Sequence, residues 1–146
     1  MPEQETIERA HEDAREGKSP STQAGEFVRE EMEHIREGKH GARSSKQAIA
    51  IGLSKARRAG VKLPPPKRGS ARTKKQAARD SRKSASQRKP SRTRSRAVRK
   101  ALKREPHSAA SHRALSRQAR SAARRRTKAD RSRAAKKAAR TRKRNR

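Results

Sequence analysis

Large apolar residues are scarce in this 146-residue chain, and this scarcity sets the tightest limit on how it can fold. Alanine accounts for 25 of its apolar residues, and only 14 larger ones remain. Ordering the backbone costs roughly 1–2 kcal/mol per residue, and a chain with few bulky apolar side chains and a high net charge does not offset that cost. We therefore expect a mostly disordered chain with short α-helices, rather than one globule.

Charge divides the chain into an acidic start and a strongly basic remainder. Residues 1–40 contain 11 acidic and 6 basic side chains, whereas residues 41–146 contain 3 acidic and 39 basic ones, and the net charge is +31. Three consecutive prolines mark a further break in composition. The pattern predicts four segments: an acidic helical arm (1–20), a small two-helix module (21–63), a Pro-rich hinge (64–70) and a basic, disordered or helix-prone tail (71–146).

The module contains nine of the 14 large apolar residues and the clearest helix signals. A stripe of apolar residues ends before Gly38, a residue type that commonly follows a helix. Ser44 precedes Gln47 by three positions, the spacing of a capping box at the start of a second helix. Together the two helices predict a hairpin over about residues 22–60. We assign its core, and a face for weak self-association, to six residues: Phe27, Val28, Met32, Ile35, Ile49 and Leu53.

The second helix has one competing interpretation. Residues 49–53 alternate apolar and small side chains, as a strand would. The capping residues and the alanines of this segment favour the helix. Gly52 would then lie on the apolar side, where it allows close approach of the first helix or of a second copy of the chain.

Part of the module has a recognisable pattern in three runs: Glu37-Gly38-Lys39, Arg43-Ser44-Ser45 and residues 46–57 (KQAIAIGLSKAR). Over about residues 33–63 this pattern resembles a family of small, basic, uncharacterised bacterial proteins with a KQAIAIxLSxAR-type segment. This sequence has Gly52 and Lys55 where alanine and glutamate are common in that family. The resemblance implies no activity and assigns no functional residue.

The basic tail indicates the kind of partner. Residues 67–146 contain 22 Arg and 11 Lys, spaced mainly by Ala and Ser, and the chain has no Tyr or Trp for base stacking. Arginine binds phosphate oxygens in pairs, whereas readers of single strands generally need aromatic platforms. We therefore predict non-sequence-specific binding to duplex DNA, in a nucleoid-associated, DNA-condensing role. The predicted contact residues are Arg92, Arg94, Arg96, Arg99, Lys100, Lys103, Arg104, Arg113, Arg117, Arg120, Arg124, Arg125, Arg126, Lys128, Arg131, Arg133, Lys136, Lys137, Arg140, Arg142, Lys143 and Arg144.

In composition the tail is similar to linker-histone tails and to the histone-like proteins of some bacteria. Two interpretations of its behaviour on binding nucleic acid stay open. Segments near 91–105 and 107–146 either become helical when phosphates neutralise their like charges, or remain disordered throughout.

Other partners stay open as well. A-form RNA offers the same phosphates, so an RNA- or ribosome-associated protein is the first alternative. An adaptor, whose residues 21–63 bind a protein partner, is the second. We expect no membrane insertion, because no apolar run approaches the roughly 20 residues that span a bilayer. We expect a cytoplasmic, nucleoid-associated location, since the acidic N-terminus is unlike a secretory signal.

The sequence gives no sign of an enzyme. His11-Glu12 begins like the zinc signature H-E-x-x-H, but position 15 is arginine. The remaining histidines show no recognised ligand spacing, so we expect solvated side chains, no metal site and no cofactor. With no cysteine there is no disulfide or thiolate ligand.

The acidic arm allows two interpretations. Its carboxylates would either fold back on the basic tail and compete with nucleic acid, or belong to an exposed, solubilising helix. The sequence does not decide between them.

Overall fold

The structure, a computed structural model, describes residues 1–84 and 91–144, and most of these residues are helical. Residues 85–90 and 145–146 of the predicted tail lie outside the described part. The chain forms two compact units, Met1–Ser111 and His112–Arg146. The described residues contain no strand and the following helices: α1 (Gln4–Arg15), α2 (Pro20–Arg36), α3 (Ser45–Arg58), α4 (Ala71–Lys83), α5 (Arg92–Lys103), a 3₁₀ helix (His107–Ala110), α6 (His112–Arg124) and α7 (Lys128–Arg144).

The expectation of a mostly disordered chain is wrong. A count of large apolar side chains underestimates the apolar surface that this chain can bury, because alanine supplies most of its core. The buried alanines let helices approach closely, and alanine is also the best helix former. The buried hydrophobic residues are Ala10, Ala24, Phe27, Met32, Ile35, Ala42, Ala48, Ala56, Val61, Ala77, Ala109 and Ala110.

In the first unit, α2 packs against both α1 and α3, and α4 packs against α3. Phe27, 1% exposed, is buried among small residues of α1, α2 and α3. Ile7, Leu53 and Leu63 cover the edge of this cluster. The acidic arm and the two-helix module therefore share one core.

The interpretation of residues 49–53 as a helix is confirmed, because they lie in the middle of α3. Ser44 caps that helix by accepting a hydrogen bond from the backbone N–H of Gln47 (3.3 Å). Gly52 allows the approach of α2, because a Cβ atom there would lie 2.7 Å from the Cα atom of Val28. Self-association through Ile49 and Leu53, which are both half-buried, stays a prediction.

The short 3₁₀ helix packs against the loop between α2 and α3. The backbone N–H of Gly41 donates to the carbonyl of Leu102 (2.9 Å), and that of Ala42 donates to Pro106 (3.0 Å). The hydroxyl of Ser45 donates to the carbonyl of Ala109 (2.6 Å). These bonds attach residues 102–109 of the predicted tail to the module.

The second unit has a different character, because none of its described residues is buried. Leu115 of α6 is half-buried, whereas nearly every residue of α7 is exposed. Thr127 and Asp130 cap α7 reciprocally: the Thr127 hydroxyl accepts from the Asp130 N–H (3.1 Å), and the Asp130 carboxylate accepts from the Thr127 N–H (3.4 Å). This capping box fixes where α7 begins.

Candidate functional site

A row of basic side chains covers one face of α5, and we call it the α5 basic face. It lines a shallow surface depression and consists of Arg96, Arg99, Lys100, Lys103 and Arg104. Their spacing is i, i+3, i+4, i+7 and i+8, the repeat that places residues on one side of a helix. The helix has six basic residues and no acidic one, so no carboxylate of α5 itself neutralises this face.

An equivalent row lies on α6, in the second unit, and we call it the α6 basic face. It lines another shallow depression and consists of Arg117, Arg120, Ser121, Arg124 and Arg125. The spacing is again i, i+3, i+4, i+7 and i+8, and α6 has no acidic residue. Two separate helices therefore present cations at the same spacing, except that Ser121 of α6 takes the i+4 position that Lys100 has on α5.

All 22 residues predicted to contact nucleic acid are exposed. Arg133 is paired with Asp130, and the Thr127 and Arg133 side chains lower the pKa of Asp130 to about 2. The predicted contact residues began at Arg92 and omitted the exposed cations of α4, although the predicted basic tail (71–146) included them. Those residues are Arg72, Lys74, Lys75, Arg79, Arg82 and Lys83.

An acidic side chain anchors α4 to α3. Asp80, 1% exposed, accepts hydrogen bonds from Ser54 (2.8 Å), Arg58 (3.0 Å) and Gln76 (3.1 Å). Burial by itself raises the pKa of Asp80, but the bonds from Ser54 and Arg58 outweigh it, and the pKa lies below its ordinary value. Asp80 therefore stays ionised, and it positions the cations of α4 on the surface.

The acidic arm forms ion pairs within itself and with α2. Glu3 Oε1 lies 2.8 Å from His34 Nε2 and 3.3 Å from Lys39 Nζ. The guanidinium of Arg9 donates to Glu26 (2.9 Å) across the α1–α2 contact. These pairs use part of the arm's charge to attach α1 to the module.

A group of charged side chains is buried between α2 and α3. Glu30 is 2% exposed and Glu31 is fully buried, and the ammonium of Lys55 lies 3.1 Å from the former and 2.8 Å from the latter. Burial by itself raises the pKa of Glu30, but the Glu3 N–H and the Lys55 ammonium lower it below its ordinary value. This group includes polar residues that sequence patterning assigned to no site.

Two histidines lie beside that group, which corrects the expectation of solvated histidines. The side chains of His34 and His40 are 13% and 17% exposed, and their rings meet edge to face with centroids 6.3 Å apart. One ligand atom from each of Glu31, His34 and His40 lies within 4.8 Å of the others, so these three residues could hold a metal ion. The sequence signal was the Glu-x-x-His spacing of Glu31 and His34, which places both on one helix face.

Among the described residues, no helix is both long and apolar enough to cross a membrane.

Comparison with known proteins matches part of the chain to a family. Residues 20–68, which include α2 and α3, are similar to DUF6496, a family of unknown function. No curated protein and no solved structure matches the chain. The matched segment contains the buried charged group and both of its histidines, whereas the basic faces of α5 and α6 lie outside it.

Proposed function

We propose that the protein binds duplex DNA without sequence specificity, through phosphate contacts made by the cations of α5, α6 and α7. One observation carries the proposal: α5 and α6 each present a face of cations at helical spacing, with no acidic residue in either helix. A helix prearranges these side chains, so fewer degrees of freedom are lost on binding than for a disordered tail.

The charge density of each face suits a duplex. Nine consecutive helical positions span roughly 12 Å of helix axis. Duplex DNA has one phosphate per roughly 1.7 Å of its own axis, so about seven phosphates lie along such a length. The five cations of the α5 basic face thus meet a comparable number of negative charges.

Stacking on unpaired bases is disfavoured by the placement of the aromatic side chain. Phe27 is the only Phe, Tyr or Trp in the chain, and it is buried in the core of the first unit. Stacking on splayed bases, which single-strand and loop recognition generally use, therefore has no aromatic platform here. Phosphate contacts explain binding with slight sequence preference.

Each unit has its own set of exposed cations, so one chain offers two sets of phosphate contacts. Linking two duplex segments requires at least two such sets, and neutralised phosphates repel one another less. This supports the DNA-condensing, nucleoid-associated role within the proposal.

The test is a salt titration of binding by the full-length protein to a labelled duplex, with a structured RNA in parallel. The variant R96Q/R99Q/K100Q removes three cations from the α5 basic face. The control R15Q/K46Q/K62Q removes the same charge at exposed positions of α1, α3 and the loop beyond it. We expect the α5 variant to flatten the slope of log K against log salt by up to about 2.7, since each phosphate contact contributes about 0.9.

Three outcomes would overturn the proposal. Equal slopes for the α5 variant and its control would show that bulk charge, rather than this face, determines binding. A clear preference for the structured RNA would make RNA, rather than DNA, the partner. A protein partner that stays bound to residues 20–68 after nuclease treatment, with weak duplex binding, would favour an adaptor.

A further inference from the structure

Glu31, His34 and His40 form a compact group of metal-ligating side chains at the C-terminal end of α2. Glu31 and His34 are three residues apart, so they share a helix face. The helix ends at Arg36, Gly38 (φ 76°) follows it, and the Lys39 N–H donates back to the carbonyl of His34 (3.0 Å). This turn reverses the chain and brings His40 back beside the last turns of α2.

Glu31 is the strongest indication that something binds there. Its side chain is fully buried, and neither carboxylate oxygen makes a hydrogen bond. Its neighbour Glu30 is satisfied, because it accepts from the Glu3 N–H (3.1 Å) and from the Lys55 ammonium (3.1 Å). A buried carboxylate without hydrogen bonds is costly, and coordination of a cation is one of the ways proteins compensate for it.

Lys55 satisfies only half of the local negative charge. Its Nζ atom lies 2.8 Å from Glu31 Oε2, although without hydrogen-bond geometry, and it is shared with Glu30. One ammonium between two carboxylates leaves a net charge of −1. Because Lys55 lies on Oε2, the other oxygen of Glu31, Oε1, remains for a second cation.

The ring nitrogens of both histidines are arranged as in metal ligands. His40 Nδ1 lies 3.0 Å from the carbonyl of Gly41, which can only accept, so Nδ1 carries a proton, and in the neutral ring Nε2 has the lone pair. His34 Nε2 bonds to the Glu3 carboxylate (2.8 Å), and Nδ1, which makes no hydrogen bond to a described residue, lies 3.9 Å from Glu30 Oε1. Metal-bound histidines typically donate their other N–H to a carboxylate or a backbone carbonyl in this way.

One distance fits joint coordination directly. His40 Nε2 lies 3.2 Å from Glu31 Oε1. Two ligand atoms bonded to one tetrahedral zinc ion at about 2.0–2.2 Å are roughly 3.3–3.5 Å apart. The lone pair of a neutral His40 ring facing a carboxylate at this separation is repulsive, and either a proton on Nε2 or a metal ion between the two atoms removes that repulsion.

We propose that Glu31, His34 and His40 bind one divalent transition-metal ion of the zinc class. Two imidazoles with one carboxylate are a zinc ligand set, whereas Mg²⁺ and Ca²⁺ prefer oxygen ligands throughout. Three protein ligands leave a fourth position for water. The ion ties the loop after α2 to the helix, so its effect is to stabilise the first unit.

The test uses the full-length protein without a histidine tag, stripped with a chelator and measured without nucleic acid. Co²⁺ titration reports tetrahedral coordination by its visible absorbance, and competition against a chromophoric chelator gives the Zn²⁺ affinity. We expect one ion per chain, no comparable effect of Mg²⁺, and a rise in Tm of roughly 5–15 °C at saturating Zn²⁺. His34→Ala and His40→Ala should each bind at least tenfold more weakly.

The matched control is H11A/H112A, which removes two exposed histidines outside the group. It should bind one ion as the unmodified chain does. The proposal is overturned if the unmodified chain binds no ion stoichiometrically, or if the control loses as much affinity as His34→Ala and His40→Ala. Circular dichroism checks that each variant is folded; if His34→Ala unfolds, His40→Ala, whose ring lies in the turn beyond α2, decides the question.

Discussion

The hydroxyl of Ser54 on α3 donates a 2.8 Å hydrogen bond to the buried carboxylate of Asp80 on α4. Arg58, one turn further along α3, donates to the same carboxylate. The chain thus attaches its first strongly basic helix to the module through an acidic side chain. This contact connects the interior of the first unit to the orientation of its surface charge.

Replacing this carboxylate should change stability in a pH-dependent way. We expect Asp80→Asn to lower the free energy of unfolding by about 1–3 kcal/mol at neutral pH, because the buried donors lose an ionised acceptor. The pKa of Asp80 is below its ordinary value in the folded protein. Its contribution is therefore complete above the ordinary value and disappears as the pH falls below about 4.

The measurement is urea unfolding of Asp80→Asn and of the unmodified chain between neutral and strongly acidic pH. The difference between their free energies of unfolding should become smaller as Asp80 becomes protonated. Glu12→Gln removes an exposed carboxylate of α1 and is the control, with little effect at any pH. A difference that stays constant down to the lowest pH would show that the charge of Asp80 contributes nothing.

Two glycines in helix interiors should respond oppositely to alanine. A Cβ atom at Gly52 would lie 2.7 Å from Val28 Cα, whereas one at Gly25 would meet nothing within 4 Å. Gly25→Ala should therefore stabilise the protein by about 0.5–1 kcal/mol through helix propensity. Gly52→Ala should destabilise it, by roughly 1–3 kcal/mol, because α2 and α3 must move apart.

Thermal and urea unfolding of both variants test this pair. The substitution is the same, so the gain from helix propensity is common to both variants. The difference between their free energies of unfolding therefore reports the close approach at Gly52 alone. Equal stabilisation by both variants would show that α2 and α3 do not approach closely at Gly52.

The local features of the fold were predictable from sequence because short-range chemistry determines them. Ser44 lies three residues before Gln47 and does cap α3, and Gly38 does follow α2 in a left-handed conformation. Such signals depend only on the backbone groups left free at helix ends. They identified α2 and α3 correctly.

Long-range packing was predicted less well. The disorder prediction counted side chains of the size of Phe27 and discounted alanines such as Ala24, which is completely buried. The charged group was missed for another reason. Glu31 and Lys55 meet only after α3 has packed on α2, and no spacing in the sequence links them.

The contact between the 3₁₀ helix and the module gives another prediction. The Ser45 hydroxyl donates to the Ala109 carbonyl (2.6 Å), and Arg36 donates to the Ala110 carbonyl (2.9 Å). Ser45→Ala removes one of these bonds and leaves a buried carbonyl without its partner. We expect faster amide hydrogen exchange in the 3₁₀ helix, with exchange in α1 unchanged.

Hydrogen–deuterium exchange with mass spectrometry measures this effect. The control is Ser116→Ala, an exposed serine on α6. If Ser45→Ala accelerates exchange throughout the first unit, the hydroxyl supports the whole core rather than this contact. If it accelerates exchange nowhere, the bond does not hold the 3₁₀ helix in place.

The buried charges between α2 and α3 should behave as a coupled set in the metal-free protein. Lys55→Gln leaves two buried carboxylates, Glu30 and Glu31, without an ammonium between them. Removing one partner of a buried ion pair typically costs about 3–5 kcal/mol, so the single variant should be strongly destabilised. Adding Glu31→Gln removes one uncompensated charge, and the double variant E31Q/K55Q should regain more than half of the loss.

A double-mutant cycle by urea unfolding, in the presence of a chelator, measures this coupling directly. Lys46→Gln, at an exposed position of the same helix, controls for loss of a lysine and should change stability by less than about 0.5 kcal/mol. Additive effects of E31Q and K55Q would contradict the expected coupling. A large coupling energy would instead show that Lys55 compensates the buried charge of Glu31.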